Sequence, residues 1–261
     1  MCLILFAWRA HPDYSLLVAA NRDEHHDRPA APAACWDDYP QICGGRDLLQ
    51  GGSWMAVARD GRFAAVTNFR QGLPGPAAPR SRGHLVSGFL LSGLSPEAYL
   101  AALLPQAQDY NPFSLIAGDA HSLWYYSNQQ SDPVPVEPGV HGLSNHLLDT
   151  PWPKVTRSKA VLQETLTVSN EEARDARLFA MLADRSESAD HELPDTGIPY
   201  PREKALSPAF ITGDRYGTRS STVLTIGTAG GITLRERRFA PLGLMQGETV
   251  ISPEGQLSES A

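Results

Sequence analysis

Cysteine is scarce in this chain: Cys2, Cys35 and Cys43 are all there is in 261 residues. Three thiols with no CxxC pair argue against a disulfide framework and for a reducing compartment, so the expected location is cytoplasmic. Cys35 and Cys43 lie eight apart with no histidine at zinc spacing, and read as structural thiols rather than metal ligands. A CxxCH sequence is also missing, which excludes covalent c-type haem attachment. No apolar run approaches the ~20 residues needed to span a bilayer. The N-terminus has no basic region, and Trp8-Arg9 and Asp13 interrupt its apolar stretch. Neither a transmembrane segment nor a signal peptide is expected. Positive charge is short as well: 22 Lys and Arg against 29 Asp and Glu give a net −7. That balance speaks against nucleic acid or an anionic membrane surface as partner. With no internal repeat and no convincing linker, residues 1–261 read as one domain, long enough to bury a substantial core.

What the chain does have is concentrated in its first two dozen residues. Cys2-Leu3-Ile4-Leu5-Phe6 and Leu16-Leu17-Val18-Ala19-Ala20 flank a polar break at His11-Pro12-Asp13-Tyr14. Turn chemistry between two β-favouring runs predicts a pair of antiparallel strands. If the four break residues form the loop, Ala10 faces Ser15 and Cys2 falls opposite Asp23. A loop longer or shorter by one residue moves the partner to Arg22 or Glu24. The unbroken apolar run 16–20 predicts a strand buried on both faces. Four polar residues, Asn21-Arg22-Asp23-Glu24, follow it directly and need partners if buried.

These residues carry a family resemblance. Met1-Cys2, Asn21-Arg22-Asp23-Glu24 and Thr67-Asn68-Phe69-Arg70 resemble motifs of the NRDE family, also called the transport-and-Golgi-organisation family. Gly142-Leu143-Ser144-Asn145, Trp152-Pro153-Lys154 and Gly217-Thr218-Arg219-Ser220-Ser221-Thr222 are similar to its later motifs, in the same order. The resemblance spans nearly the whole chain. It implies an α+β fold, the four-layer αββα sandwich of the N-terminal nucleophile hydrolases. More distantly, the chain resembles the choloylglycine hydrolase and penicillin V acylase group, whose nucleophile is a Cys exposed by removal of Met. By that resemblance Cys2 is the nucleophile, Asp23 matches the group's Asp after the second strand, and Asn145 matches its Asn. One position departs: those enzymes usually carry Arg three residues before the Asp, where this chain has Ala20. Haem trafficking and fatty acyl-CoA binding have both been linked to the family.

Further along, 53–58 and 63–69 predict a hairpin turning at Asp60-Gly61, with Asn68 at a strand end. Residues 71–81 read as an exposed loop. Helices are expected from about 85, from Ser95-Pro96 to 104, from Lys154 to about 166, and from Asn170 to about 182. Strands are expected at 113–117, 122–127, 140–145, 218–226 and 231–239. The proline-broken stretch 28–32 and the acidic stretch 184–209 read as loops.

The chemistry these residues suggest is acyl transfer. Once Met1 is removed, the α-amine of Cys2, titrating near ~7.7–8.0, can take the thiol proton. Asp23 would orient or tune that amine, while Asn68 and Asn145 would donate amide hydrogens to an oxyanion. The expected reaction is hydrolysis of an amide or acyl bond in a small-molecule substrate through a Cys2 thioester, with no cofactor required. The alternative is a non-catalytic pocket for haem or fatty acyl-CoA in the same cleft, which Ala20 favours. Asn21, Arg22 and Arg219 are the candidate ligand-binding residues. Each arginine reads either as a structural partner of a carboxylate or as a clamp for an anionic ligand. Arg70 and Lys154 read as surface charges unless the family resemblance places them at the pocket mouth. Adjacent or five-spaced histidines (His25-His26, His141 and His146) do not converge, so no metal site is expected.

Overall fold

The computed structural model describes residues 2–73, 75 and 78–253. Met1 and part of the loop expected at 71–81 lie outside the described residues. Two antiparallel sheets form the body. The six-stranded sheet runs β10-β1-β2-β11-β12-β13, from β1 (Cys2–Trp8), β2 (Tyr14–His25), β10 (Gly139–Leu143), β11 (Tyr216–Gly227), β12 (Ile232–Phe239) and β13 (Met245–Ile251). The seven-stranded sheet runs from β3 to β9 in sequence order: β3 (Ala30–Cys35), β4 (Ile42–Asp47), β5 (Met55–Ala58), β6 (Phe63–Asn68), β7 (Phe113–Gly118), β8 (Leu123–Ser127) and β9 (Val134–Pro135). Helices α1 (Gly83–Ser92) and α2 (Pro96–Leu103) cover the outer face of the second sheet. Helices α3 (Pro153–Thr165) and α4 (Glu171–Leu182) cover the first. The layers are therefore α, β, β, α, as the resemblance implied.

Alternation along β1 explains the layering. Ile4, Phe6 and Trp8 point between the sheets, and Leu3, Leu5 and Ala7 point at α3 and α4. A strand covered on both faces needs an unbroken apolar run, and every residue of β1 is buried. The expected caps also form: Ser95 Oγ accepts from the Ala98 amide at 3.2 Å, and Asn170 Oδ1 from the Ala173 amide at 2.8 Å. No helix among the described residues is long and apolar enough to cross a membrane.

Four expectations need correction. The β1–β2 loop is one residue longer than the polar break suggests: Arg9, at φ 46°, donates its amide to Ser15. The pairing sum becomes 24, and Cys2 faces Arg22 rather than Asp23. Residues 28–32 lead into a strand instead of remaining a loop. Pro32 is tolerated because β3 is an edge strand and its register shifts between Ala31 and Ala34. Cys35 and Cys43 are not free thiols, since they stand directly opposite on β3 and β4 and are joined by a disulfide. The Ala-rich β3 hides that pairing from a propensity reading, and the odd cysteine count no longer argues for a reducing compartment. The stretch 184–209 contains a short helix, α5 (Tyr200–Ala205). Strand β13, at the sheet edge, was not foreseen.

Candidate active site

On the face of the six-stranded sheet that points between the layers, four rows of opposed residues run across β1, β2, β11 and β12. The first is Trp8, Leu16, Ile226 and Ile232; the second is Phe6, Val18, Leu224 and Leu234. The third is Ile4, Ala20, Thr222 and Glu236, and the fourth is Cys2, Arg22, Ser220 and Arg238. The first two rows are wholly apolar and belong to the inter-sheet core. By the fourth row no aliphatic side chain remains, and the sandwich opens into a cleft of about 450 Å³. The cleft is where the core runs out.

Among the described residues, seven arginines line it (Arg22, Arg28, Arg46, Arg80, Arg82, Arg219 and Arg238) against four carboxylates (Asp23, Glu24, Asp47 and Glu236). A chain with an overall negative charge thus turns a positive surface toward Cys2. Several of these cations are spent on the fold. Arg28 pairs with Asp47, and Arg46 with Asp38. Arg219, extruded by the bulge between Thr218 and Ser220, donates to the carbonyls of His25 at 2.7 Å and Arg28 at 3.0 Å. The side chains of Arg22 and Arg238 make no hydrogen bond or ion pair among the described residues. They sit two strands apart, about 10 Å. Arg82 faces them from the start of α1 and donates once, to the Pro112 carbonyl at 3.0 Å. Burial lowers its pKa, while Glu24 and Cys2 act to raise it.

Cys2 is the free thiol of the chain and is 8% exposed. Burial pushes its pKa up, and Asp23 adds to that, whereas a hydrogen bond from the Asp23 amide favours the thiolate. Asp23 is buried too, its carboxyl pushed up by burial and pulled down by Lys154 and by the Thr218 hydroxyl, which donates to Oδ1 at 2.7 Å. Opposite, on the seven-stranded sheet, Asn68 ends β6 and lines the cleft, its side-chain amide uncommitted among the described residues.

Of the residues singled out from the sequence, Cys2, Arg22, Asp23, Asn68 and Arg219 come together at the cleft. Asn21 and Asn145 are absent from its lining. Asn21 points to the helix layer, where its amide donates to the Leu182 and Ala209 carbonyls at 2.8 Å each, and its oxygen accepts from Ser221 at 2.6 Å. Asn145, at φ 56°, donates to the Asn68 carbonyl at 3.1 Å, and its own buried Oδ1 has no partner among the described residues. Arg238, Arg82 and Glu236 escaped the sequence reading, and Ser220 entered it only as part of a motif. Only the register across four strands could have found Arg238. Arg70 and Lys154 are not surface charges: Arg70 stacks 4.5 Å over Trp152 and pairs with Glu203 at 2.9 Å, and Lys154 is 3% exposed.

Known proteins resemble this chain along its length. The family described as Transport and Golgi organisation 2 matches residues 1–241. The bovine protein named Transport and Golgi organization protein 2 homolog is 35% identical over 257 residues, covering 91% of this chain and 92% of that one. The mouse protein named Transport and Golgi organization 2 homolog is 32% identical over 269 residues, covering 95% of this chain and 97% of that one. Among solved structures, the Caenorhabditis elegans N-acylethanolamine-hydrolyzing acid amidase ortholog is similar at a TM-score of 0.37 and 11% identity, covering 85% of this chain and 92% of that one.

Proposed function

Because the chain belongs to the Transport and Golgi organisation 2 family and carries its free thiol on the floor of an arginine-lined cleft, we propose that it hydrolyses an amide or acyl bond of an anionic small molecule through a Cys2 thioester. The observation carrying this reading is the fourth row, in which Cys2 lies beside Arg22 with Arg238 further along. Two guanidinium groups left unpaired by the fold are suited to a carboxylate or phosphate on the substrate, and hold its carbonyl over the thiol. With Met1 removed, the Cys2 α-amine takes the thiol proton and the thiolate attacks the carbonyl carbon. Asn68 donates to the oxyanion, a contact typically worth about 2.7–4 kcal/mol. The resulting ammonium returns its proton to the leaving group, and water then hydrolyses the thioester. No step requires a cofactor.

The second reading is a carrier pocket for fatty acyl-CoA or haem. The upward push of burial on the Cys2 thiol favours it, as does Ala20 in place of an arginine. The polar lining suits the phosphates of acyl-CoA better than the apolar plane of haem.

Intact-mass measurement separates the two. Protein from a normally processing cell is expected to lack Met1 and to gain an acyl group when mixed with short acyl thioesters or amides, while Cys2→Ala gains none. If no adduct or turnover occurs, and Cys2→Ala changes only binding affinity, the carrier reading stands instead. An adduct on Cys2→Ala would exclude Cys2 as nucleophile.

A further inference from the structure

The fourth row of the sheet face has a fifth member. Arg238 on β12 stands opposite Ser220 on one side and opposite Gly247 of β13 on the other. A glycine inside a strand weakens it and often marks a close approach. Gly247 makes no use of its conformational freedom, since its backbone does not take a positive φ. What it supplies is the missing side chain. A Cβ at this position would come 2.7 Å from Arg238 Nη2 and 3.7 Å from Cζ. The guanidinium therefore rests against Gly247, at the end of the row far from Cys2. It is seated but not paired. Its Nε is buried without a hydrogen-bond partner among the described residues. The carboxyl of Glu236, two residues back on the same face, is held instead by the Ala33 amide at 2.8 Å and by the Ser220 hydroxyl. A buried guanidinium nitrogen that the fold leaves unsatisfied needs an explanation, and a ligand in the cleft supplies one.

We propose that Arg238 on its Gly247 seat is a distal anion receptor that selects an elongated substrate, with its acyl or amide group at Cys2 and a terminal phosphate or carboxylate three strands away. The row sets the length. Neighbouring strands lie about 4.8 Å apart, so Arg238 stands about 14 Å from Cys2 across β2 and β11. An extended chain covers that distance in roughly four residues, or about twelve bonds. Cys2, Arg22, Ser220 and Arg238 all line the same cleft, so a linear molecule can run along the row from thiol to guanidinium. Arg22 is one strand from Cys2 and meets charge near the reacting carbonyl, whereas Arg238 meets charge at the far end. Ser220 and Gly247, both small, leave the space around Arg238 open.

This inference rests on the proposed reading of Cys2 as the reacting group, but its test needs no hydrolysis. Cys35 and Cys43 are bonded to each other, so iodoacetamides on the native protein report Cys2. The Cys2 sulfur bonds to the methylene carbon of the probe, and iodide leaves. The probes carry a phosphate, a carboxylate or a neutral hydroxyl on an octyl linker, or a phosphate or hydroxyl on an ethyl linker. The octyl phosphate places its phosphorus about twelve bonds from the reacting carbon, within reach of Arg238. It is expected to label Cys2 about tenfold faster than the octyl alcohol, as one charge-assisted contact provides. The octyl carboxylate decides which of the two anions is preferred. Arg238→Gln is expected to remove the octyl advantage, and Arg238→Lys to keep part of it. Gly247→Ala retains the charge but pushes the guanidinium off its seat, and is expected to reduce the advantage as well. It displaces only the tip of a flexible side chain, so the fold is kept. Parent protein that labels no faster with either octyl anion than with the octyl alcohol would overturn the proposal. So would an octyl advantage that survives in folded Arg238→Gln, or an equal loss with the ethyl phosphate, whose anion cannot reach Arg238. A Cys2 that no probe labels would also overturn it, since a ligand held at Arg238 would then not meet the thiol. Failure to cleave any acyl compound would end the hydrolase reading and leave these labelling rates unaffected.

Discussion

The two ends of one sheet face behave in opposite ways. At the β1–β2 turn, Trp8, Leu16, Ile226 and Ile232 close against the second sheet, and six residues away along each strand the same face ends in Cys2, Arg22, Ser220 and Arg238. Backbone pairing is continuous between them, so the hydrogen-bond ladder does not distinguish the ends; the side chains do. At the closed end apolar area leaves water, worth about 1.5–3 kcal/mol for each large side chain. At the open end the Arg22 and Arg238 side chains stay partly exposed and have no partner among the described residues. Charges elsewhere show what the fold does when it uses them for itself: Asp149 takes hydrogen bonds from His141 at 2.7 Å, Lys159 at 2.6 Å and the Gly142 amide at 2.9 Å. The contrast separates groups that hold the scaffold from groups left for a ligand.

Breaking the closed end should cost most. Leu224→Ala is expected to remove about 2–5 kcal/mol by opening a cavity in the inter-sheet core. Thr222→Val, one row toward the cleft, should change stability by less than about 1 kcal/mol, because the Thr222 hydroxyl is buried without a hydrogen-bond partner among the described residues. Urea unfolding measures both, and equal losses would erase the distinction between rows. Asn21→Ala should cost about 2–4 kcal/mol, since it strands the Leu182 and Ala209 carbonyls. Its affinity for inorganic phosphate should stay at the parent value, and a large change there would return Asn21 to the ligand site.

The Asp149 cluster sharpens the comparison through pH. Burial raises its carboxyl pKa, but the bonds from His141, Lys159 and Gly142 outweigh burial and bring it to about 2. The folded value lies below the unfolded one, so this stability is fully present above about pH 4 and is lost as pH falls toward 2. Asp149→Asn should cost about 1 kcal/mol at pH 7, allowing for solvent screening at this partly exposed site, and should flatten acid unfolding in that window. An unchanged acid transition would count against it. The smallest effect on stability is expected at the open end. Arg22→Gln and Arg238→Gln should leave the melting temperature within about 2 °C of the parent, having no partners to strand. Each should weaken phosphate binding about tenfold, or about 1.4 kcal/mol. A marked melting loss without a binding loss would make them scaffold residues.

Much of the architecture is legible in the local sequence. The helix starts at Ser95-Pro96 and Asn170, the hairpin at Asp60-Gly61 and the two-sided burial of 16–20 all rest on local chemistry that acts within a few residues. Local rules missed β3, whose Ala-Ala-Pro-Ala-Ala-Cys carries no β-favouring residue, and β13, which gains its place by pairing with β12. They misplaced Lys154 for a similar reason: nothing near it in the chain announces the Leu206 carbonyl that its ammonium reaches, fifty-two residues on.

By itself the sequence determined that a thiol at residue 2 would stand beside a polar strand end, since a hairpin can pair those residues in only a few registers. It could not decide which of three residues faces that thiol, because a single extra loop residue turns every side chain of a strand to the other face. Nor could it decide that Asn21 serves the scaffold, that Arg238 joins Arg22, or that Lys154 is buried with its ammonium on the Leu206 carbonyl. Those outcomes depend on pairings across β11, β12 and α3, separated from β1 by more than a hundred residues, and the packed tertiary structure brings them together.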